Sequence, residues 1–164
     1  MSPFRGGWVI WLSLLVALIL SIAHLPTDWP VWLGWLRPNW VMLILFYWAI
    51  EHPQRLGPVG GWLVGLLLDA LLAQPLGLNA MLLAAFVYLM VGLSDRLRMY
   101  SMAQQCLIVF LVALATEVLR SLVLGWVGGQ NMSWGVLLIA TMTMFCWPFI
   151  AELLIRTRAL GRPE

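Results

Sequence analysis

Asp69, Glu117 and Arg120 are ionisable residues set inside stretches of chain that are otherwise apolar enough to cross a bilayer. A charge at mid-membrane costs about 2.5 to 3.5 kcal/mol on insertion scales, so such groups normally pair, face other helices or line a cavity. Glu117 and Arg120 stand at i and i+3, which lets them pair on one helix, and Asp69 can join them across a bundle. Two roles stay open for this intramembrane polar cluster: a satisfied glue that fixes helix register, or a ligand or coupling site. Catalysis finds little support. His24 and His52 fall on opposite faces of the predicted membrane span, and Cys106 and Cys146 lie in separate helices without paired spacing, so neither a metal site nor a catalytic dyad assembles. There is no HExxH, Walker loop or serine nucleophile elbow. No catalytic residue, metal or cofactor is expected, and the chain is read as a non-enzyme.

The elements that must position these residues follow from composition. At 63% hydrophobic and 10% charged residues, the 164-residue chain cannot cover a soluble domain with polar surface. Its mean hydropathy is +0.94. The long continuous apolar runs point to an all-α, polytopic membrane bundle rather than a β-barrel. Taking about 20 residues as the length that crosses a core of about 30 Å, six helices are predicted in one integral membrane domain. They cover about residues 8–25, 38–50, 57–73, 78–94, 103–126 and 134–155. Pro26, Pro30, Pro53, the Gln74-Pro75-Leu76-Gly77 turn and Gly128-Gly129 separate them.

The second segment is short, about 20 Å at 1.5 Å per residue. Local thinning or snorkelling of Arg37 would let it span, and a re-entrant or interfacial segment is the alternative. Arginine distribution sets orientation, because the chain has no lysine. With the N-terminus inside, Arg5, Arg55, Arg96, Arg98, Arg156, Arg158 and Arg162 fall on the inner side against Arg37 outside, so both termini are expected in the cytoplasm. A signal peptide ending near Ser21-Ile22-Ala23 is the competing reading of the first segment, but Trp8 and Trp11 at its head read better as interfacial anchors. The same anchor reading covers Trp29, Trp32, Trp35 and Trp40 at the outer face and Trp48 and Trp62 near the inner one; the aromatic stretch 29–35 is also a candidate docking surface. On ideal helices Asp69 lies about 16 Å above Pro58, and Glu117 and Arg120 lie about 21 and 25 Å above Ala103, all in the outer half.

Gly57, Gly61, Gly65, Asp69 and Ala73 recur every four residues, a stripe of small residues along which two helix backbones can approach. Such a stripe would aim Asp69 at a neighbouring helix instead of at lipid. In the last helix, Pro148 after Trp147 removes the donor for the Met144 carbonyl, and a kink is expected there.

Several of these patterns occur in an order that resembles the MreD family of bacterial rod shape-determining membrane proteins. They are Trp8-Val9-Ile10-Trp11-Leu12, Arg37-Pro38-Asn39-Trp40-Val41 running into Leu43-Ile44-Leu45-Phe46-Tyr47-Trp48, the glycine stripe ending in Leu68-Asp69, Pro75-Leu76-Gly77, and Trp147-Pro148. Arg37-Pro38-Asn39-Trp40, an outer-face motif, is the most specific, and the resemblance does not rest on Glu117 or Arg120. The resemblance implies a non-enzymatic inner-membrane scaffold or regulator of the cell-elongation complex for peptidoglycan synthesis, or elongasome. It would bind MreC, with a RodA-type glycosyltransferase, a class B penicillin-binding transpeptidase and MreB as further partners. Membrane lipids are expected around it, and no nucleic acid. The family also looks similar in fold to the substrate-binding membrane subunits of energy-coupling-factor vitamin transporters. That supplies the alternative function, a small-solute- or lipid-binding transporter subunit.

Overall fold

A computed structural model describes residues 7–22, 38–128 and 133–160. The described residues form helices and no strands: α1 (Gly7–Ile22), α2 (Trp40–Glu51), α3 (Pro58–Leu71), α4 (Leu78–Met99), α5 (Met102–Gly128) and α6 (Gly135–Leu160). Three stretches, Leu78–Met99, Met102–Gly128 and Gly135–Arg156, are long and apolar enough to cross a membrane; the other three helices are apolar but shorter. The protein is a helical membrane bundle. Arg37, and with it the aromatic stretch 29–35, lies outside the described residues.

The short second segment forms the centre of this bundle. All ten residues from Val41 to Ile50 are buried, as a helix that is apolar on every side must be if it is to avoid being merely one more lipid-facing rod. α1, α4, α5 and α6 all pack against it. At 12 residues α2 is about 18 Å long, well short of the hydrocarbon thickness. Its start is recessed: the Asn39 amide donates to Thr143 Oγ1 at 3.0 Å, and Thr143 lies about 12 Å along α6 from Gly135. The neighbouring helices, not the length of α2 itself, therefore carry it within the membrane.

That central position corrects the reading of Trp48 as an interfacial anchor. Trp48 is 2% exposed, and its Nε1–H donates to Ser13 Oγ of α1 at 2.9 Å. Burial requires such an acceptor, because an indole N–H left unpaired in an apolar interior costs about 1 to 3 kcal/mol. Trp62, by contrast, is exposed, as are Trp126, near the end of α5, and Trp134, just before α6. α1 presents Ile10, Leu14 and Ala17 to the core and turns Trp11, Leu15 and Ile19 outward, the one-sided pattern of a peripheral helix.

Candidate functional site

Asp69 sits two residues before the end of α3 and is completely buried. Its carboxylate is saturated by one short segment of chain. Oδ1 accepts from the backbone N–H of Asn79 at 3.0 Å and from the Asn79 side-chain amide at 2.8 Å. Oδ2 accepts from the backbone N–H groups of Gly77 at 2.9 Å and Ala80 at 3.3 Å. These backbone donors belong to the first turn of α4, where a helix leaves its N–H groups without intrahelical partners. Asp69 thus caps α4 from the preceding helix, and the positive end of the α4 dipole meets a negative charge.

The local sequence explains how the chain returns to Asp69 so quickly. Gly77 takes φ +99°, a left-handed conformation that glycine adopts without a Cβ penalty. Ala73 is also left-handed at φ +50°, and the Gln74 amide donates to the Asp69 carbonyl at 3.1 Å. Gln74 Oε1 accepts the second N–H of the Asn79 side chain at 2.8 Å, which holds that amide with its other hydrogen on Asp69.

Below the turn, α3 and α4 approach until their backbones touch. A Cβ on Gly65 would lie 2.4 Å from the Ala80 Cα and 2.6 Å from its nitrogen, and one on Gly61 would lie 2.8 Å from Val87 Cγ2 and 2.9 Å from the Leu83 carbonyl oxygen. These two glycines do the packing expected of the stripe. Gly57 does not: a Cβ there meets nothing within 4 Å. It stands at the N-cap of α3, ahead of the interhelical contact, so its place in the four-residue repeat is coincidental.

Glu117 is buried, and Arg120 hydrogen-bonds to it in an ion pair within α5. The two groups neutralise each other at i and i+3, as their spacing requires. Among the described residues no ion pair or hydrogen bond joins either of them to Asp69. The expected three-membered cluster is therefore two separate devices: a helix cap between α3 and α4, and a local ion pair on α5. The sequence signal for the cap was Asn79, a side chain with its own donors placed just after a turn glycine and near a new helix start.

Of the outer-face motif, Pro38, Asn39 and Trp40 are described. Asn39 is the N-cap of α2, its side chain accepting from the Met42 amide at 3.3 Å. Through Thr143, whose hydroxyl donates back to the Ile139 carbonyl at 2.7 Å, the same residue ties α2 to α6. Trp40 packs against the hydrophobic core. The motif thus starts the central helix and fixes its depth.

At the opposite end of α2, Pro148 lies inside α6 and Trp147 packs edge to face on Phe46, with centroids 4.6 Å apart and an interplanar angle of 89°. Arg98, at the end of α4, donates from Nε to the Ile50 carbonyl at 2.9 Å and from a terminal nitrogen to the Glu51 carbonyl at 2.8 Å. It satisfies the last carbonyls of α2 and places a cation at the negative end of that helix. Beside these groups is a cavity of about 340 Å³, opening between α2, α6 and the α4–α5 connection. Among the described residues no group of three histidine, cysteine, aspartate or glutamate side chains converges on a metal-sized site.

Residues 2–157 match the family model described as rod shape-determining protein MreD. The chain belongs to the MreD family. A relative called rod shape-determining protein MreD, from Haemophilus influenzae (strain ATCC 51907 / DSM 11121 / KW20 / Rd), is 27% identical over 148 residues, covering 90% of this chain and 91% of that protein. As a member of the MreD family, the chain is a membrane protein involved in determining rod shape. No solved structure matches it, and the likeness in fold to energy-coupling-factor transporter subunits stays an implication of the resemblance alone.

Proposed function

We propose that this MreD-family chain is a non-enzymatic scaffold or regulator of the cell-elongation complex, seated in the bacterial inner membrane with both termini in the cytoplasm. MreC is its direct partner, and a RodA-type glycosyltransferase, a class B penicillin-binding transpeptidase and MreB act with it in peptidoglycan synthesis. The observation that carries this reading is the saturation of Asp69. All four of its partners are donors from residues 77–80, and Glu117 is occupied by Arg120, so Asp69 is engaged in joining α3 to α4 and Glu117 is neutralised within α5. A solute-binding subunit needs polar groups free to meet its ligand.

The experiment is co-purification of MreC with the intact chain and with Asp69→Leu, paired with complementation of cell shape. Loss of the α3–α4 cap is expected to reduce MreC recovery and to round the cells. Undiminished recovery and normal rods would count against the scaffold. A defined water-soluble molecule carried by the purified protein in native mass spectrometry would favour the transporter-subunit reading instead. Cysteine labelling in residues 53–57 and 128–131 tests the orientation, with opposite sides expected.

A further inference from the structure

The outward face of α4 is built differently from the faces that α5 and α6 turn toward lipid. Those helices present large apolar side chains such as Leu107, Leu111, Phe145 and Phe149. α4 presents Met81, Ala85, Tyr88, Gly92, Asp95 and Met99, all of them exposed. Their spacing alternates between four and three residues without a break, and the small Ala85 and Gly92 stand between the larger side chains. A 3.5-residue repeat of this kind is the seam along which two helices supercoil. Leu83, Met90 and Leu97, on the opposite side of α4, are buried, so the seam points away from the bundle.

Polar groups on and beside this seam lack partners. Tyr88 is 69% exposed, and its hydroxyl makes no hydrogen bond among the described residues. It lies about 15 Å from the Leu78 end of the 22-residue helix and about 16 Å from the Met99 end. A tyrosine side chain does not cover that distance, so the hydroxyl stands in hydrocarbon, where no water satisfies it. Tyrosine on a membrane helix belongs by preference at the interface. At the inner end of α4, Asp95 and Arg96 are both exposed, and among the described residues neither forms an ion pair or a side-chain hydrogen bond.

We infer that this face of α4 is the contact surface of a two-fold dimer of the chain. Two copies in one membrane share an orientation, so α4 meets α4 in parallel about an axis along the membrane normal, and the contact must be self-complementary. The seam meets that demand. A hydroxyl both donates and accepts, so Tyr88 facing Tyr88 of the second copy completes a hydrogen bond in the hydrocarbon. Asp95 on the seam and Arg96 on its flank pair with Arg96 and Asp95 of the second copy, once on each side of the axis. Gly92 leaves the approach open, because a Cβ there would meet nothing within 4 Å, and small residues are what let membrane helices come close.

The test is energy transfer between donor- and acceptor-labelled pools of the full-length protein in phosphatidylcholine vesicles, over a range of protein-to-lipid ratios. Pairing that saturates at two copies is expected. Tyr88→Phe removes only a hydroxyl from an exposed ring and is expected to weaken pairing about three- to ten-fold, the value of one polar contact between membrane helices. Gly92→Leu fills the seam with a better helix former and is expected to weaken it at least about ten-fold. Asp95→Arg is expected to weaken pairing, and Asp95→Arg combined with Arg96→Asp to restore it, a rescue that a folding defect would not show. In whole membranes, Gly92→Cys in a chain carrying Cys106→Ala and Cys146→Ala is expected to form an oxidised dimer, and Leu107→Cys in the same chain is not. Absence of energy transfer at every density, or pairing unchanged in both Tyr88→Phe and Gly92→Leu, overturns the dimer. Cross-linking from position 92 to a different protein in place of a second copy overturns the occupant.

Discussion

Replacing Asp69 separates a helix cap from a membrane-spanning charge network. In Asp69→Leu the N–H groups of Gly77, Asn79 and Ala80 and the side-chain amide of Asn79 lose their acceptor together. An exposed cap is worth about 0.5 to 2 kcal/mol. Here Asp69 and Asn79 are buried, so the two donors of Asn79 are stranded away from water at about 1 to 3 kcal/mol each. Because the orphans share some of the loss, a total of about 3 to 5 kcal/mol is expected, in line with breaking other buried charge contacts.

For a chain of this size that corresponds to a melting temperature lower by about 6 to 20 °C. Asp69→Asn retains one oxygen, enough for both donors of Asn79, and is expected to lose about half as much. The assay is thermal unfolding of the purified protein in detergent, followed by tryptophan fluorescence. Asp69→Leu melting within a degree or two of the parent would refute the cap. A double-mutant cycle with Arg120→Gln tests the separation of the two devices: coupling well above about 0.5 kcal/mol would mean that Asp69 senses the α5 pair after all.

The glycine contacts make a graded series. Gly65→Ala drives a methyl into the Ala80 backbone and should cost at least about 1 to 3 kcal/mol, while Gly57→Ala, with open space around it, should cost under about 1 kcal/mol in the same melting assay. Trp48→Phe, which loses the bond and part of a buried ring, should lower stability by about 2 to 4 kcal/mol; Ser13→Ala, which strands the indole N–H, should lower it by about 1 to 3 kcal/mol, and a Ser13→Ala protein melting with the parent would deny the bond between α1 and α2. Asn39→Ala should cost about 0.5 to 2 kcal/mol by uncapping α2, read by denaturant titration. Glu152→Gln breaks an ion pair whose two side chains are both well exposed and should change stability by less than about 1 kcal/mol at any salt concentration.

The helix positions were legible in the sequence because hydropathy and proline or glycine punctuation act locally. Pro58, Gly77 and Pro38 mark starts that the structure places within a residue or two. The role of α2 was harder to read. A run such as Val41 to Ile50 has no polar face, so nothing in its periodicity distinguishes a helix bathed in lipid from one enclosed by protein, and only its shortness hinted at the answer. Trp48 misled for the same reason: tryptophan suits both a membrane interface and an interior with an acceptor, and Ser13 lies 35 residues away. Asp69 was conspicuous, but its partners were not. Backbone donors carry no residue identity, so a carboxylate satisfied by a helix start leaves only Asn79 as a trace, whereas Arg120 advertised itself as a counter-charge.

The joint between α3 and α4 also constrains how the protein is made. Leaving the translocon alone, α3 would enter lipid with a naked carboxylate and a span of only 14 residues. Each quenching group emerges from the ribosome 8 to 11 residues after Asp69, so the hairpin is complete in its polar bonding once the first turn of α4 has been synthesised. Partitioning as a pair resolves the difficulty, and the lateral gate must hold the first rod until the second has begun to wind.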